Sequence, residues 1–476
     1  MNPRTWAAIA AGRMAGTASR ALGRGGGTAV AGLAALHIDP ALPAHLASTL
    51  GRGCAIVTGT NGKTTTARML ASMASEAALR PLANPSGSNL MRGIATALIE
   101  SADLAGRVRD ASQRLGVFEV DEATLPEAAR ALTPRAIVFT NLFRDQLDRY
   151  GEVDTVAMLW RQTLEMLSPE TTLVLNADDP AVASLAQSAK GRVVTYGIED
   201  TRVAQEHVEH ASDYRFCLSC GAELAYSAAF FGHIGHWRCP SCNRARPAPD
   251  VRAISVELHA LDSTGLVIET PSGDPSTSLR TGLRLELPLA GLYNVENALA
   301  ATAGALALGL PLDAVERGLR SFRAAFGRQE RFQLDGRDVL VLLGKNPTGM
   351  NQVLRTITSA GGELRLLLFL NDGIADGRDI SWIWDTDYEL IAERAASVVV
   401  SGTRADEMAL RLKYADLRVE LKVVRETEPA LSVALEATPP GETLYVIPTY
   451  TAMLEVRELL ARKGGKERFW QEGSRE

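Results

Sequence analysis

The sequence predicts an α/β fold with two successive parallel sheets. Three observations carry that expectation. Short apolar runs recur from Cys54 onward with helical periodicity between them, one of them leads into a glycine-bounded loop that opens a helix, and after Arg331 the rhythm starts again. The 476 residues hold 50 Lys+Arg against 56 Asp+Glu, a net charge of −6, which excludes a generally basic nucleic-acid coat. Hydrophobic content of 46% and charged content of 22% exclude wholesale disorder.

Residues 1–50 read as an N-terminal helical and Gly-rich segment. An Ala-rich helix over Trp6–Ala21 is expected in preference to a targeting peptide, because Arg13 interrupts any apolar region. The run Arg24-Gly25-Gly26-Gly27-Thr28 is either a flexible loop or a backbone cradle for an anion. A central domain follows over 51–330. Its expected strands are Cys54–Thr58, Val117–Val120, Ala136–Thr140, Thr172–Leu175 and Arg192–Tyr196, with helices at Thr64–Leu79 and Val153–Leu167. At about 205–250 the α/β rhythm stops, as an insertion would make it do. Residues 251–288 read as short strands around a turn at 271–278, followed by helices near 295–308 and 311–321. A C-terminal Rossmann-like α/β domain is expected over 331–476, with strands Val339–Leu343, Leu364–Leu370, Ser397–Val400 and Leu444–Ile447. No apolar run reaches the ~18 residues of a membrane span, so a cytoplasmic location is the expectation.

Gly59-Thr60-Asn61-Gly62-Lys63-Thr64-Thr65 follows a strand and opens a helix. Glycines let backbone N–H groups approach phosphate oxygens, and the helix N-terminus adds positive potential. Lys63 would span terminal phosphates and Thr64 would offer a hydroxyl to Mg²⁺. Position 57 is Val, so the longer Gly-x-x-x-x-Gly-Lys-Thr pattern is incomplete. Glu119, Asp121 and Glu122 cluster just after a strand, where open α/β sheets place ligands. A carboxylate at that point can hold Mg²⁺ bridging terminal phosphates.

Five cysteines cannot staple a chain this long. Four of them form Cys217-x-x-Cys220 and Cys239-x-x-Cys242 with 18 residues between the pairs, a zinc-ribbon spacing. Four thiolates leave no open coordination position, so a structural Zn²⁺ is expected, with His233, His236 and Trp237 as packing or spare surface residues and not ligands.

Thr58-Gly-Thr-Asn-Gly-Lys-Thr-Thr65 resembles the signature of the Mur ligase superfamily, whose members make cell-wall precursor peptides and folate polyglutamates. Asn176-Ala-Asp-Asp-Pro180, Gly291-Leu-Tyr-Asn-Val-Glu-Asn297 and Phe326-Gly-Arg-Gln-Glu-Arg331 are similar to further motifs of that family, in the same order. The resemblance implies ATP bound by Thr60–Thr65, Glu119, adenine-holding Asn294 and Arg328, with Lys63, Glu119 and Arg328 acting on the phosphates and Glu119, ahead of Glu122, in the place of the family's metal-binding Glu. The family's usual Asp-His is Asp145-Gln146 here, and no lysine occurs between Lys63 and Lys190 to serve as the carbamylated residue of amino-acid-adding members. Both departures weaken the alternative of an amino-acid-adding peptide or folate ligase.

The dense loop Asn371–Asp385 follows an apolar strand. Together with Arg24–Thr28, Asn84-Pro-Ser-Gly-Ser-Asn89, Thr449-Tyr-Thr-Ala-Met-Leu454 and the cysteine ribbon, it resembles the MurT subgroup, the synthetase subunits of lipid II isoglutaminyl synthase. That resemblance implies amidation of the D-glutamate α-carboxylate in the lipid II stem peptide through an acyl phosphate. Ammonia would come from a GatD-like glutaminase partner, whose Cys/His pair a C-terminal Asp supports. Asp385 is the first choice for that Asp, with Asp376 and Asp379 behind it. Lys345-Asn346-Pro347-Thr348 resembles the family's third-domain loop that meets the nucleotide. A nucleic-acid partner is not expected, because the ribbon has no basic stripe with interleaved aromatics. Contact with the membrane's inner face would be peripheral.

Overall fold

The computed structural model describes residues 3–21, 29–85, 87–145, 153–206, 208–209, 212–271, 280–323 and 328–464. Nine strands form the first sheet: β1 (Cys54–Thr58), β2 (Arg80–Ala83), β3 (Arg114–Glu119), β4 (Ala136–Phe139), β5 (Thr172–Asn176), β6 (Val193–Ile198), β9 (Val251–His259), β10 (Ser263–Pro271) and β11 (Arg280–Leu287). A separate antiparallel hairpin, β7 (Ala225–Phe231) and β8 (Ile234–Arg238), lies between β6 and β9 in the chain. The sheet order is β11-β10-β9-β6-β5-β4-β1-β3-β2, parallel from β2 through β9 and antiparallel over β9–β11. β1, β4 and β5 are buried at every residue, as unbroken apolar runs covered by helices on both faces require.

Successive side chains of these strands enter opposite cores. Val57, Val117 and Val138 pack with Met69, Leu70, Val295, Leu299 and Leu319, from the helices Lys63–Glu76, Leu292–Ala307 and Leu312–Arg320. Ile56, Phe118, Ile137 and Phe139 pack on the other face with Ile94, Leu98, Leu125 and Trp160. Ala8, Ile9, Ala35, Leu42 and Leu46 belong to this second core. The N-terminal helices Pro3–Ala21, Val30–Ile38 and Leu42–Ala47 therefore share the core of the central sheet and do not stand apart from it. Gly32 makes the approach possible, since a Cβ there would lie 1.8 Å from the carbonyl oxygen of Arg92. The glycine run 24–28 lies outside the described residues.

β9–β11 differ from the short strands expected. They have nine, nine and eight residues. In β10 and β11 buried and less buried residues alternate, the pattern of a half-solvated antiparallel sheet. Their expected turn at 271–278 falls, after Pro271, on residues outside the description.

The second sheet takes β12 (Arg328–Leu334), β13 (Arg337–Leu342), β14 (Leu364–Phe369), β15 (Ala395–Ser401), β16 (Leu421–Val423) and β17 (Thr443–Ile447), in the order β12-β13-β17-β14-β15-β16. Only the β12–β13 pair is antiparallel. The sheet begins at Arg328, slightly before the start expected after Arg331. No helix among the described residues is long and apolar enough to cross a membrane.

Candidate active site

A cavity of about 540 Å³ opens at the C-terminal end of β1 and is lined from both sheets. Its floor is the phosphate loop. Gly62 takes φ +86° just before the helix Lys63–Glu76, and its α-carbon lies so close to Asn297 that a Cβ would meet that Oδ1 at 1.9 Å. Only glycine meets both demands. The loop is braced by the segment after β4. The Asn61 N–H donates to Asn141 Oδ1 at 2.8 Å, the Phe143 N–H to Thr60 Oγ1 at 3.0 Å, and Asn141 Nδ2 to the Asn61 carbonyl at 3.1 Å. Sequence reasoning does not single out Asn141. The available cue is its place immediately after the strand that pairs with β1.

Thr60, Asn61, Gly62, Lys63, Thr64, Thr65, Glu119 and Asn294 all line this cavity. Lys63 Nζ is buried, donating to Glu122 Oε2 at 3.0 Å, to the Thr60 carbonyl at 3.1 Å and to the Gly59 carbonyl. Burial alone would lower its pKa, but Glu122, Asp121, Glu119 and Asp145 outweigh that and hold the ammonium protonated above its ordinary value. Burial pushes the Glu122 carboxyl up, against the pull of Lys63.

Glu122 is thus the ion-pair partner of Lys63, whereas Glu119 forms no ion pair among the described residues. Glu119 is fixed through its backbone: its N–H donates to Asn84 Oδ1, and Asn84 Nδ2 donates to its carbonyl, both at 2.9 Å. Glu119 and the Thr64 hydroxyl supply hard oxygen donors of the kind Mg²⁺ takes, so the residues fit that ion.

At the other end, Asn294 donates to the Ala290 carbonyl at 2.8 Å and accepts from Asn297 Nδ2 at 3.2 Å. Gln329 clamps the same turn, accepting from the Ala290 N–H at 3.1 Å and donating to its carbonyl at 2.9 Å and to Tyr293 Oη at 2.8 Å. Gln329 has no separate cue in the sequence beyond its place in the Phe326–Arg331 motif. Arg328 opens β12, and its side chain lies outside the described residues, as does Gln146.

The second sheet closes the cavity from above. Asn346 Nδ2 donates to Asn61 Oδ1 at 3.0 Å, and Lys345 pairs with Asp145. Asn346 also caps the helix Pro347–Ser359 by accepting from the Gly349 N–H at 2.8 Å. Asp385 lies outside the cavity lining, at the end of a short 3-10 turn, Ser381–Asp385, with its side chain 46% exposed beside half-exposed Trp384. Asp376 is buried and accepts from the Thr451 N–H at 2.8 Å and from the Thr451 hydroxyl, while Asp379 accepts from the Ser381 N–H. Asp379 thus closes its own loop, and Asp376 ties that loop to the start of the last helix, Tyr450–Gly464.

Cys217, Cys220, Cys239 and Cys242 bring four sulfurs within 4.8 Å of one another, with Cys217–Cys242 at 3.6 Å and Cys220–Cys239 at 3.4 Å. Zn–S bonds of ~2.3 Å in a tetrahedron place sulfurs ~3.8 Å apart, so the set fits structural zinc. The ribbon is tied to the central sheet at its base. Trp237 Nε1 donates to the Ala177 carbonyl at 3.0 Å, His236 Nε2 bonds the Ile198 carbonyl at 2.7 Å, and Arg246 pairs with Asp178 and Glu199. His233 is fully buried, 3.3 Å from Asp179. The histidines pack, as expected.

Residues 57–235 match the Mur ligase middle domain family, and residues 343–453 match the MurT ligase C-terminal family. The chain is 31% identical over 466 residues to the MurT subunit of the glutamine-hydrolysing lipid II isoglutaminyl synthase of Staphylococcus aureus, covering 97% of this chain and 100% of that one. It is 31% identical over 464 residues to the same subunit of Streptococcus pneumoniae, covering 97% and 98%. Among solved structures, MurF from Acinetobacter baumannii matches with a TM-score of 0.64 at 21% identity over 90% of this chain and 81% of that one. A pseudomurein peptide ligase type C from Methanothermus fervidus matches with a TM-score of 0.63 at 23% identity over 86% and 78%. At such identities the structures speak for the fold, while the end-to-end sequence relation identifies the group: the chain belongs to the MurT family of Mur ligases.

Proposed function

We propose that the chain is the synthetase subunit of a lipid II isoglutaminyl synthase. The observation that carries this reading is the cavity in which the phosphate loop, the buried carboxylates and Lys345 of the second-sheet loop converge. ATP would lie along Thr60–Thr65, its adenine at Asn294. Mg²⁺, held by Thr64 and Glu119, would neutralise phosphate charge. An oxygen of the D-glutamate α-carboxylate would attack the γ-phosphorus as ADP leaves. Lys63 and Arg328 would stabilise the charge spread over the transferring group. Ammonia would then attack the acyl carbon, and inorganic phosphate would leave with formation of D-isoglutamine.

Ammonia needs an outside source. Beyond the ribbon's four cysteines the chain has only Cys54, which is buried in β1 with its thiol pushed up to about 12 by that burial. A GatD-like glutaminase would supply the nucleophile, and exposed Asp385 would face it. The lipid substrate would bring the complex into peripheral contact with the inner face of the membrane. We assign the two catalytic domains to the stretches on either side of a boundary just before Arg328, where the second sheet begins, the N-terminal helices packing on the first.

The test is product mass. Incubation with ATP, Mg²⁺, ammonium chloride and lipid II should yield the small mass drop of an OH-to-NH₂ exchange. Gain of a whole amino-acid residue, with amino acids supplied, would replace this reading by that of a peptide ligase. No ammonium-dependent change would refute a self-sufficient synthetase.

A further inference from the structure

The segment after β4 touches three parts of the molecule in five residues. Asn141 and Phe143 brace the phosphate loop, and Asp145 pairs with Lys345 of the second sheet. Arg144, between them, points elsewhere. Its N–H donates to Asp213 Oδ2 at 2.9 Å and its Nε to Asp213 Oδ1 at 2.5 Å. The Asp213 side chain is 5% exposed, so this fork is firmly seated. From that anchor Arg144 Nη1 reaches to 3.6 Å from Asp385 Oδ2. The turn carrying Asp385 is fixed separately by Arg411, which donates to the Ile383 carbonyl at 3.2 Å and to the Thr386 carbonyl at 2.6 Å. The backbone of the turn is thus held by one arginine and its terminal carboxylate is approached by another.

We propose that Arg144 is a positioning residue: it orients the Asp385 carboxylate toward the glutaminase and ties that orientation to the loop that braces the nucleotide. This rests on the role given to Asp385 above. A half-exposed carboxylate rotates freely unless a neighbour holds it, and an exposed ion pair contributes little to stability. The effect of Arg144 therefore falls on geometry. A carboxylate that supports an imidazole must present an oxygen to one ring N–H, and a small misplacement of such a group costs rate and leaves substrate affinity intact.

The test uses the full chain in complex with its glutaminase subunit. Glutamine hydrolysis and ammonium-dependent amidation are measured side by side for the unmodified complex, Arg144→Ala, Arg144→Lys, Asp385→Asn and the double variant. Arg144→Ala should lower kcat for glutamine hydrolysis about 10–100-fold with glutamine KM unchanged. Ammonium-dependent amidation should be unchanged, which also reports that the synthetase is folded. Arg144→Lys should recover part of the loss, and the double variant should be no worse than Asp385→Asn alone. An equal loss of ammonium-dependent activity in Arg144→Ala, or multiplicative losses in the double variant, would overturn the proposal. Impaired Asp385→Asn beside unimpaired Arg144→Ala would overturn the role of Arg144 alone. Undiminished hydrolysis by Asp385→Asn would overturn the assignment of Asp385 and this inference with it.

Discussion

Replacing Gly62 by alanine tests the phosphate loop at its tightest point. The residue takes φ +86°, where an L side chain costs about 1–2 kcal/mol. The new Cβ would also lie 1.9 Å from Asn297 Oδ1, so that side chain must leave. Its departure breaks the hydrogen bond from Thr66 Oγ1 at 3.3 Å and the one to Asn294 Oδ1 at 3.2 Å, at about 1 kcal/mol each. The sum is about 3–4 kcal/mol, shared between folding stability and nucleotide binding. If half falls on binding, ATP affinity drops more than about tenfold. Calorimetric titration with ATP and chemical denaturation measure the two shares. Gly309→Ala is the control: it takes φ +78° with nothing within 4 Å of a built Cβ, so it should lose only the conformational share and leave ATP affinity unchanged. A Gly62→Ala protein that binds ATP normally and unfolds normally would refute the contact argument.

Three further outcomes are expected. Lys63→Ala should lower amidation by about 10²–10³-fold, because it removes the buried ammonium that lines the cavity at the loop proposed to hold the phosphates; ammonium-dependent turnover near that of the unmodified chain would contradict its role. The purified chain should carry about one zinc, and Cys239→Ser should lose it and unfold at lower temperature; plasma emission and thermal melting read both, and a metal-free chain of unchanged melting point would count against the ribbon site. The Arg202 hydrogen bond, helped by the Val256 N–H, holds the Asp200 carboxyl down at about 2 against an ordinary 3.8. Its folded pKa is depressed, so its contribution is present above 3.8 and is lost as pH falls toward about 2. Denaturation curves across that window should show a shallower acid dependence for Asp200→Asn, and identical slopes would reject the pairing.

Legibility in the sequence followed locality. The phosphate loop, the cysteine pairs and the buried strands were readable because each is a contiguous pattern whose chemistry depends on residues a few positions apart. Placing Glu119 beside that loop needed only the rule that ligands lie at strand C-terminal ends, and β3 does pair with β1. The roles within the acidic cluster were not readable. Spacing offered Glu119 and Glu122 alike, and only packing put Glu122 on Lys63 and left Glu119 held by Asn84.

By itself, then, the sequence determined the α/β class, the glycine-bounded loop and the paired cysteines, which are encoded in short-range periodicity and spacing, while the family came through the resemblance of its motifs. The tertiary structure decided which distant residues meet. Asn346 bonds Asn61 across 285 positions, Arg355 pairs with Glu209 across 146, and Arg144 approaches Asp385 from another sheet. It also decided that the N-terminal helices join the central core. Such contacts depend on sheet order and on how the two sheets face each other, and no local rule of charge, hydropathy or turn chemistry specifies them.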